Sequence, residues 1–295
     1  MIVDVHTHTP THRGPVPPEE RQVNTVWRPD RAVEAAVSWD DYLRAMEPVD
    51  RAIVFGIAFR GGREPPGREG VGIAWRGANV NDLTAAFVRA HPEKLIGFLS
   101  VHPDEPDALE ELERAVFDLG LRGIKLGPNY QHFEPLGASA RRLYARATEL
   151  GLPVLFHQGT SPMRTAPLRF AHPLVMDEIA LAFPDLKIVM AHLGHPWQVD
   201  TFAVVRKHPN VYADVSAAFY RPWSMYNALR LATEWGVLDK LLFGTDYPIA
   251  TPAETIAGLR GVNRVLEGTA LPRVPEDQIE AIIHRDALTL LGLAG

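Results

Sequence analysis

Five side chains in this sequence could together hold a metal ion and move a proton: His6, His8, His157, His192 and Asp246. The first two close the run Ile2-Val3-Asp4-Val5-His6-Thr7-His8 at i and i+2. On a strand successive side chains alternate faces, so His6 and His8 point the same way. Neutral imidazole is the commonest metal ligand, and two held side by side on rigid backbone make half a metal site. The other three also follow apolar runs. His157 ends Pro153-Val154-Leu155-Phe156, His192 ends Lys187-Ile188-Val189-Met190-Ala191, and Asp246 follows Leu241-Leu242-Phe243-Gly244-Thr245. One histidine at a strand end is more often a hydrogen-bonded structural residue than a ligand, and Asp246 alone could cap a loop. Five such residues at consistent strand ends are hard to explain separately, so a metal site is expected.

The elements that must gather them are legible as alternation. Candidate strands at 2–6, 52–58, 95–101, 123–126, 153–157, 187–192, 211–215 and 241–245 carry continuous rather than alternating apolar runs, as strands buried on both faces do. Helical patterns fall at 78–91, 106–119, 139–150, 174–183, 197–207, 224–235, 252–266 and 276–291, with Ser139 as an expected N-cap and Gly151 as a stop. Strands alternating with helices in this number predict an α/β fold, a (β/α)8 barrel with an extra C-terminal helix, in one domain spanning 1–295. A barrel brings the carboxyl ends of its strands to one rim and so would join the five residues. A doubly wound open sheet is the rival, but no G-x-G-x-x-G or Walker A loop follows any strand. Two irregular stretches, 9–30 and 59–77, would lie over the same rim and are expected to be active-site loops.

Composition excludes other classes. The formal net charge of -6 argues against a nucleic-acid or anionic-membrane surface, which needs clustered Lys and Arg. With no cysteine, disulfides, thiolate ligands and cysteine nucleophiles are ruled out. No signal peptide is visible and no apolar run approaches the roughly 20 residues of a membrane span, so a cytoplasmic enzyme with a small-molecule substrate is expected. A homodimer is an open possibility.

The motifs Asp-Val-His-Thr-His at 4–8, Gly-Ile-Lys-Leu at 123–126, Val-Leu-Phe-His at 154–157, Met-Ala-His-Leu-Gly at 190–194 and Phe-Gly-Thr-Asp-Tyr-Pro at 243–248 resemble the amidohydrolase superfamily over nearly the whole chain. The resemblance is to its amidohydrolase 2 branch, which includes aminocarboxymuconate-semialdehyde decarboxylase. It implies that His6, His8, His157 and Asp246 bind a divalent metal, usually zinc and here one per chain, with His192 beside it as acid/base or additional ligand. Three imidazoles and a carboxylate suit Zn2+, which makes water a nucleophile near neutral pH. Asp246 could then take the proton and His192 position the water or polarise the substrate. Lys125 lies where binuclear relatives carry a carboxylated, metal-bridging lysine. The alternatives are an inward-facing counter-charge or a substrate contact.

Further residues are weaker candidates for substrate binding: His195, Trp197, Tyr220, Arg221, Arg60 and Arg164. Of these, Arg221 could clamp a carboxylate through paired hydrogen bonds. His12, His102, His132 and His172 are assigned to loops and surface, and His284 to a structural position in the last helix. The expected reaction is hydrolysis of a lactone, amide or similar small carboxylated or cyclic compound. The alternative is nonoxidative, zinc-dependent decarboxylation of an unsaturated or aromatic acid. Family decarboxylases often carry Glu after His-Leu-Gly or replace an opening histidine, whereas this chain has His195 there and keeps both His6 and His8. A catalytically silent barrel is a third, weaker reading, because a degenerate site should lose ligands first.

Overall fold

The structure is a computed structural model that describes residues 1–63, 73–75 and 79–294. Strand β1 (Val3–His8) is followed by a small antiparallel hairpin, β2 (Val23–Asn24) with β3 (Val33–Glu34). After it come β4 (Arg51–Phe55), β5 (Leu95–Gly97), β6 (Ile124–Leu126), β7 (Val154–Phe156), β8 (Ile188–Met190), β9 (Val211–Asp214) and β10 (Leu241–Leu242). All but the hairpin pair in parallel, as β1-β4-β5 and β6-β7-β8-β9-β10. Two seams join these sheets into a ring. Leu99 bridges to Ile124 beyond β5, and Thr7 bridges to Tyr247, with Val5 N donating to Phe243 O at 3.0 Å and Asp246 N to His6 O at 2.8 Å. Strands in chain order around a ring, with helices between them, are the (β/α)8 barrel that the alternation predicts.

The helices are α1 (Trp39–Ala45), α2 (Val80–Ala90), α3 (Ala108–Phe117), α4 (Pro128–Gln131), α5 (Ala138–Glu149), α6 (Leu174–Ala182), α7 (Gln198–Lys207), α8 (Pro222–Trp235), α9 (Pro252–Arg260), α10 (Glu276–Ile283) and α11 (Ala287–Leu291). Strand parity divides the core. Ile53, Phe55, Leu155, Val189, Tyr212 and Leu242 pack together inside the barrel, where Leu288 and Leu291 of α11 join them. Their neighbours Ala52, Val54, Val154, Phe156, Ile188, Met190 and Ala213 pack outward with the helices. Lys125 stands between outward-packed Ile124 and Leu126, so the same parity turns it inward.

Several local expectations change. Helix α1 falls where no element is expected: it is only seven residues long, capped by Ser38, whose Oγ accepts from Asp41 N at 3.1 Å. Gly137, not Ser139, is the N-cap of α5, and Ser139 lies inside its first turn. The expected 276–291 helix is two, because Asp286 caps a new start by accepting from Thr289 N. The 252–266 helix stops at Arg260, followed by a 3-10 turn at Val262–Leu266. Residues 9–30 are not wholly irregular, since they hold β2. Of the 59–77 stretch, 64–72 and 76–77 lie outside the described residues. Among the described residues no helix is long and apolar enough to cross a membrane.

Candidate metal centre and substrate cavity

A bulge in β1 sets the first two ligand candidates. Asp4 aligns with Ala52 and Thr7 with Val54, so three steps on β1 oppose two on β4. The extra residue resets the alternation: Val5 packs inside the barrel, yet His6 also reaches the central cavity, together with His8. Lys125 comes from β6, His157 follows β7, His192 follows β8, and Asp246 follows β10. His192 and Asp246 adopt positive φ, 58° and 63°, as do Leu193 and Ala217. Left-handed backbone at a non-glycine residue costs of order 1–3 kcal/mol and gathers at functional sites. Four of the five such residues described lie in this rim; the other is His132, at the end of α4.

The hydrogen bonds fix which nitrogens are free. Asp214, the last residue of β9, is fully buried and accepts from His6 Nδ1 at 2.8 Å. That leaves the lone pair on His6 Nε2. Ser216 Oγ donates to Asp214 Oδ1 and therefore accepts from His192 Nδ1 at 2.8 Å, placing the His192 lone pair on Nε2 as well. His192 Nε2 in turn faces His157 Nδ1 at 3.2 Å, and His157 Nε2 is buried without a hydrogen-bond partner. Asp246 Oδ1 lies 3.2 Å from His6 Nε2 and 3.0 Å from His8 Nε2, and His8 Nδ1 is also buried and unpartnered. Atoms of His6, His192 and Asp246 all lie within 4.8 Å of one another.

The charges agree with this wiring. Burial drives the pKa of His8 and His192 down to about 4, and that of His157 well below its ordinary value with His192 and Lys125 adding to the effect. These rings are neutral at pH 7, the form that ligates metal. For His6, burial and Lys125 push downward, but Asp214 and Asp246 outweigh them and raise its pKa. Burial raises the Asp246 pKa, but His6 and His192 more than reverse that and hold it ionised. Lys125 Nζ lies 3.3 Å from His6 Nε2 and 4.7 Å from the Phe55 ring centre; burial pulls its pKa down to about 7 against Asp246 and Asp214. Neutral His8, His157 and His192, the Nε2 lone pair of His6 and an ionised Asp246, with two buried nitrogens, His8 Nδ1 and His157 Nε2, left unpartnered, fit a divalent cation.

The group opens into a cavity of about 310 Å3. Aromatic and apolar side chains, among them Trp27, Trp75, Tyr130, Met163 and Tyr220, form much of its wall. Both expected loop regions contribute, through Val26 and Trp27 and through Ile73 and Trp75. Arg221 lines it, donating to Ala217 O at 3.1 Å and Trp27 O at 3.5 Å, and no carboxylate is paired with it among the described residues. His195 lines it too, its Nδ1 accepting from Gln198 Nε2 at 2.9 Å.

Three of the weaker candidates are not in this wall. Trp197 precedes α7 and stacks on His172 at 4.8 Å instead, while Arg60 and Arg164 are exposed. His102 is not at the surface: it is buried, with Nε2 donating to Gln131 O at 2.8 Å. Asp214 and Ser216 join the site without being among the residues expected from the sequence. The signal was available, because Asp214 sits two residues after inward-facing Tyr212 on the same strand.

Fold and site together define a barrel enzyme, and the chain belongs to the amidohydrolase family, whose model matches residues 3–293. A dihydroorotase from Helicobacter pylori (strain P12) is 29% identical over 133 residues, 43% of this chain and 38% of that protein. The chain thus spans about two-fifths of the length of that relative. A dihydroxybenzoic acid decarboxylase from Polaromonas sp. JS666, with bound manganese and the inhibitor 2-nitroresorcinol, is 18% identical, covering 99% of this chain and 97% of its own, with a TM-score of 0.63. A probable 2-pyrone-4,6-dicarboxylic acid hydrolase from Acinetobacter baumannii, with citric acid bound, is 14% identical over 99% of each chain, with a TM-score of 0.62. At these identities both likenesses show the barrel fold.

Proposed function

We propose that this protein is a metal-dependent hydrolase of a small cyclic or carboxylated compound, such as a lactone or amide. The observation that carries it is one cavity with the His/Asp cluster and, in its wall, the guanidinium of Arg221, which pairs with no carboxylate among the described residues. His6, His8, His157 and Asp246 would hold one zinc ion, with His192 beside it as a further ligand or acid/base. When bound, such an ion polarises a carbonyl and lowers the cost of forming the nucleophile from water.

The residues do the rest. Arg221 binds the substrate carboxylate, and the aromatic wall excludes bulk water and orients a flat ring. Asp246 Oδ1 is held by His8 Nε2 at 3.0 Å, so Oδ2 is left to take the proton of the attacking water. It then returns that proton to the leaving oxygen or nitrogen. His192, fixed through Nδ1 by Ser216, keeps Nε2 turned to the reacting group. Lys125 serves as an inward counter-charge to Asp214 and Asp246 rather than a bridge.

Decarboxylation is the second reading. The aromatic wall beside the Arg221 guanidinium favours it, since an aromatic acid would fit the same wall. A panel of lactones, amides and aromatic acids, run with zinc-loaded and chelator-treated protein and scored for ring opening and for carbon dioxide, separates the two. Zinc-dependent hydrolysis without carbon dioxide supports the first; carbon dioxide release replaces it with the second.

A further inference from the structure

Arg28 lies behind the cavity wall and is almost completely buried. Four of the five N–H donors of its fork are used: Nε and Nη2 donate to Asp30 Oδ1 and Oδ2 at 2.9 and 2.6 Å, and Nη1 donates to Ile249 O at 3.2 Å and Glu254 Oε1 at 3.3 Å. The guanidinium carbon also lies 4.7 Å from the Tyr220 ring centre and 5.2 Å from that of Phe219. One side chain therefore ties together three segments far apart in sequence: the β2–β3 hairpin, the turn before α8, and the approach to α9.

Each of these segments supplies cavity wall: Trp27 from the first, Tyr220 and Arg221 from the second, Ile249 from the third. Arg221 depends on the same contacts. Its Nη2 reaches Trp27 O, and its guanidinium carbon lies 4.7 Å from the same Tyr220 ring. Glu254 is itself anchored, closing the capping box of α9 with Thr251 and accepting from Arg31 at 2.9 Å. Arg31 belongs to the same hairpin, so the hairpin is pinned to a fixed helix start by two arginines, Arg28 buried and Arg31 at the surface.

We propose that Arg28 is a positioning residue that pins the β2–β3 hairpin over the cavity and, through Trp27 and Tyr220, presets Arg221 for a substrate carboxylate. Burying a guanidinium costs desolvation unless its donors are satisfied, and here four of them are spent on orientation across three segments. Lysine, a single point of charge, cannot span Asp30, Ile249 and Glu254 while lying on a ring. The inference rests on the carboxylate-binding reading of Arg221, so its test has one arm that needs no ligand.

The zinc-loaded full chain is titrated calorimetrically with benzoate, as wild type, Arg28→Ala, Arg28→Lys, Arg221→Ala and the Arg28→Ala/Arg221→Ala double variant. Hydrogen exchange is followed over residues 23–34 in parallel. Preset binding groups gain affinity by avoiding an ordering cost, so Arg28→Ala should weaken benzoate about tenfold and Arg28→Lys by less. The double variant should bind no more weakly than Arg221→Ala, zinc stoichiometry should not change, and exchange over 23–34 should accelerate in Arg28→Ala. Wild-type affinity in Arg28→Ala, or a loss that adds in full to that of Arg221→Ala, overturns the proposal. If wild type does not bind benzoate, the carboxylate reading of Arg221 fails and exchange alone decides the clamp: faster exchange supports it, unchanged exchange overturns it. If Arg28→Ala does not fold, Asp30→Asn takes its place and is held to the same outcomes.

Discussion

Asp214 and His6, 208 residues apart in sequence, meet at 2.8 Å with both side chains buried, and that contact sets which nitrogen of His6 is available. An ionised carboxylate on Nδ1 keeps the proton there and raises the donor strength of Nε2. Burial raises the pKa of Asp214, but His6 outweighs it and holds the group ionised. Asp214→Asn keeps the shape but offers an amide that can present its N–H to the imidazole instead. Zinc affinity, measured by competition with a chelator, should fall about 10–100-fold. An unchanged affinity would mean that Asp214 does not orient His6.

Arg221 separates the two reactions. For hydrolysis it binds part of the substrate away from the bond that breaks, so Arg221→Ala should raise KM about tenfold with kcat changed far less. For decarboxylation the guanidinium holds the group that leaves, and the same variant should lose nearly all of kcat. Steady-state kinetics on the best substrate of the panel reads the difference.

Gly244 lies between His6 and Asp214. A Cβ there would stand 3.1 Å from His6 Cβ and 3.4 Å from Asp214 Cβ, tighter than relaxed packing for the first. Gly244→Ala should therefore separate the pair and weaken zinc several-fold, at a stability cost of about 1–3 kcal/mol for overpacking. Chemical denaturation with a parallel zinc titration checks both.

Glu111 carries a pH dependence away from the site. Burial pushes its carboxyl up, but hydrogen bonds from Arg114, Asn81 and Asn79 outweigh it and hold the pKa below the ordinary 4.5. A depressed carboxylate contributes stability that is present above the unfolded value and is lost as pH falls through the folded one. Glu111→Gln should cost about 1 kcal/mol at pH 7, a figure discounted for partial exposure, and the gap to wild type should close as pH falls below the ordinary 4.5 and through the lower folded value. Denaturation midpoints across that range test the sign.

How much was legible in the sequence follows from the physics of each element. The barrel strands were visible because most carry a continuous apolar run, interrupted by a charged residue in three of them, Asp4, Lys125 and Asp214, and the five site residues because each stands at or just past a strand end. Helix α1 was not, since seven residues from Trp39 to Ala45 hold too few turns to show a period. Asp214 could have been found from parity, since it lies inside the expected 211–215 strand two residues after Tyr212, whereas Ser216 lies past that strand, where no period applies. Lys125 could be turned inward from parity, but its 3.3 Å approach to His6 depends on the β1 bulge, which no local pattern announces. Trp197, Arg60 and Arg164 were placed by proximity to strand ends, and proximity along the chain does not decide which way a loop side chain turns.

The central claim is a single metal among residues gathered from four strand ends, and diffraction at the zinc absorption edge from crystals grown with zinc tests it most directly. One anomalous peak among His6, His8, His157 and Asp246, with His192 adjacent and Lys125 unmodified, is the expected result. Two peaks bridged by a carboxylated Lys125, or no peak in excess zinc, would contradict it.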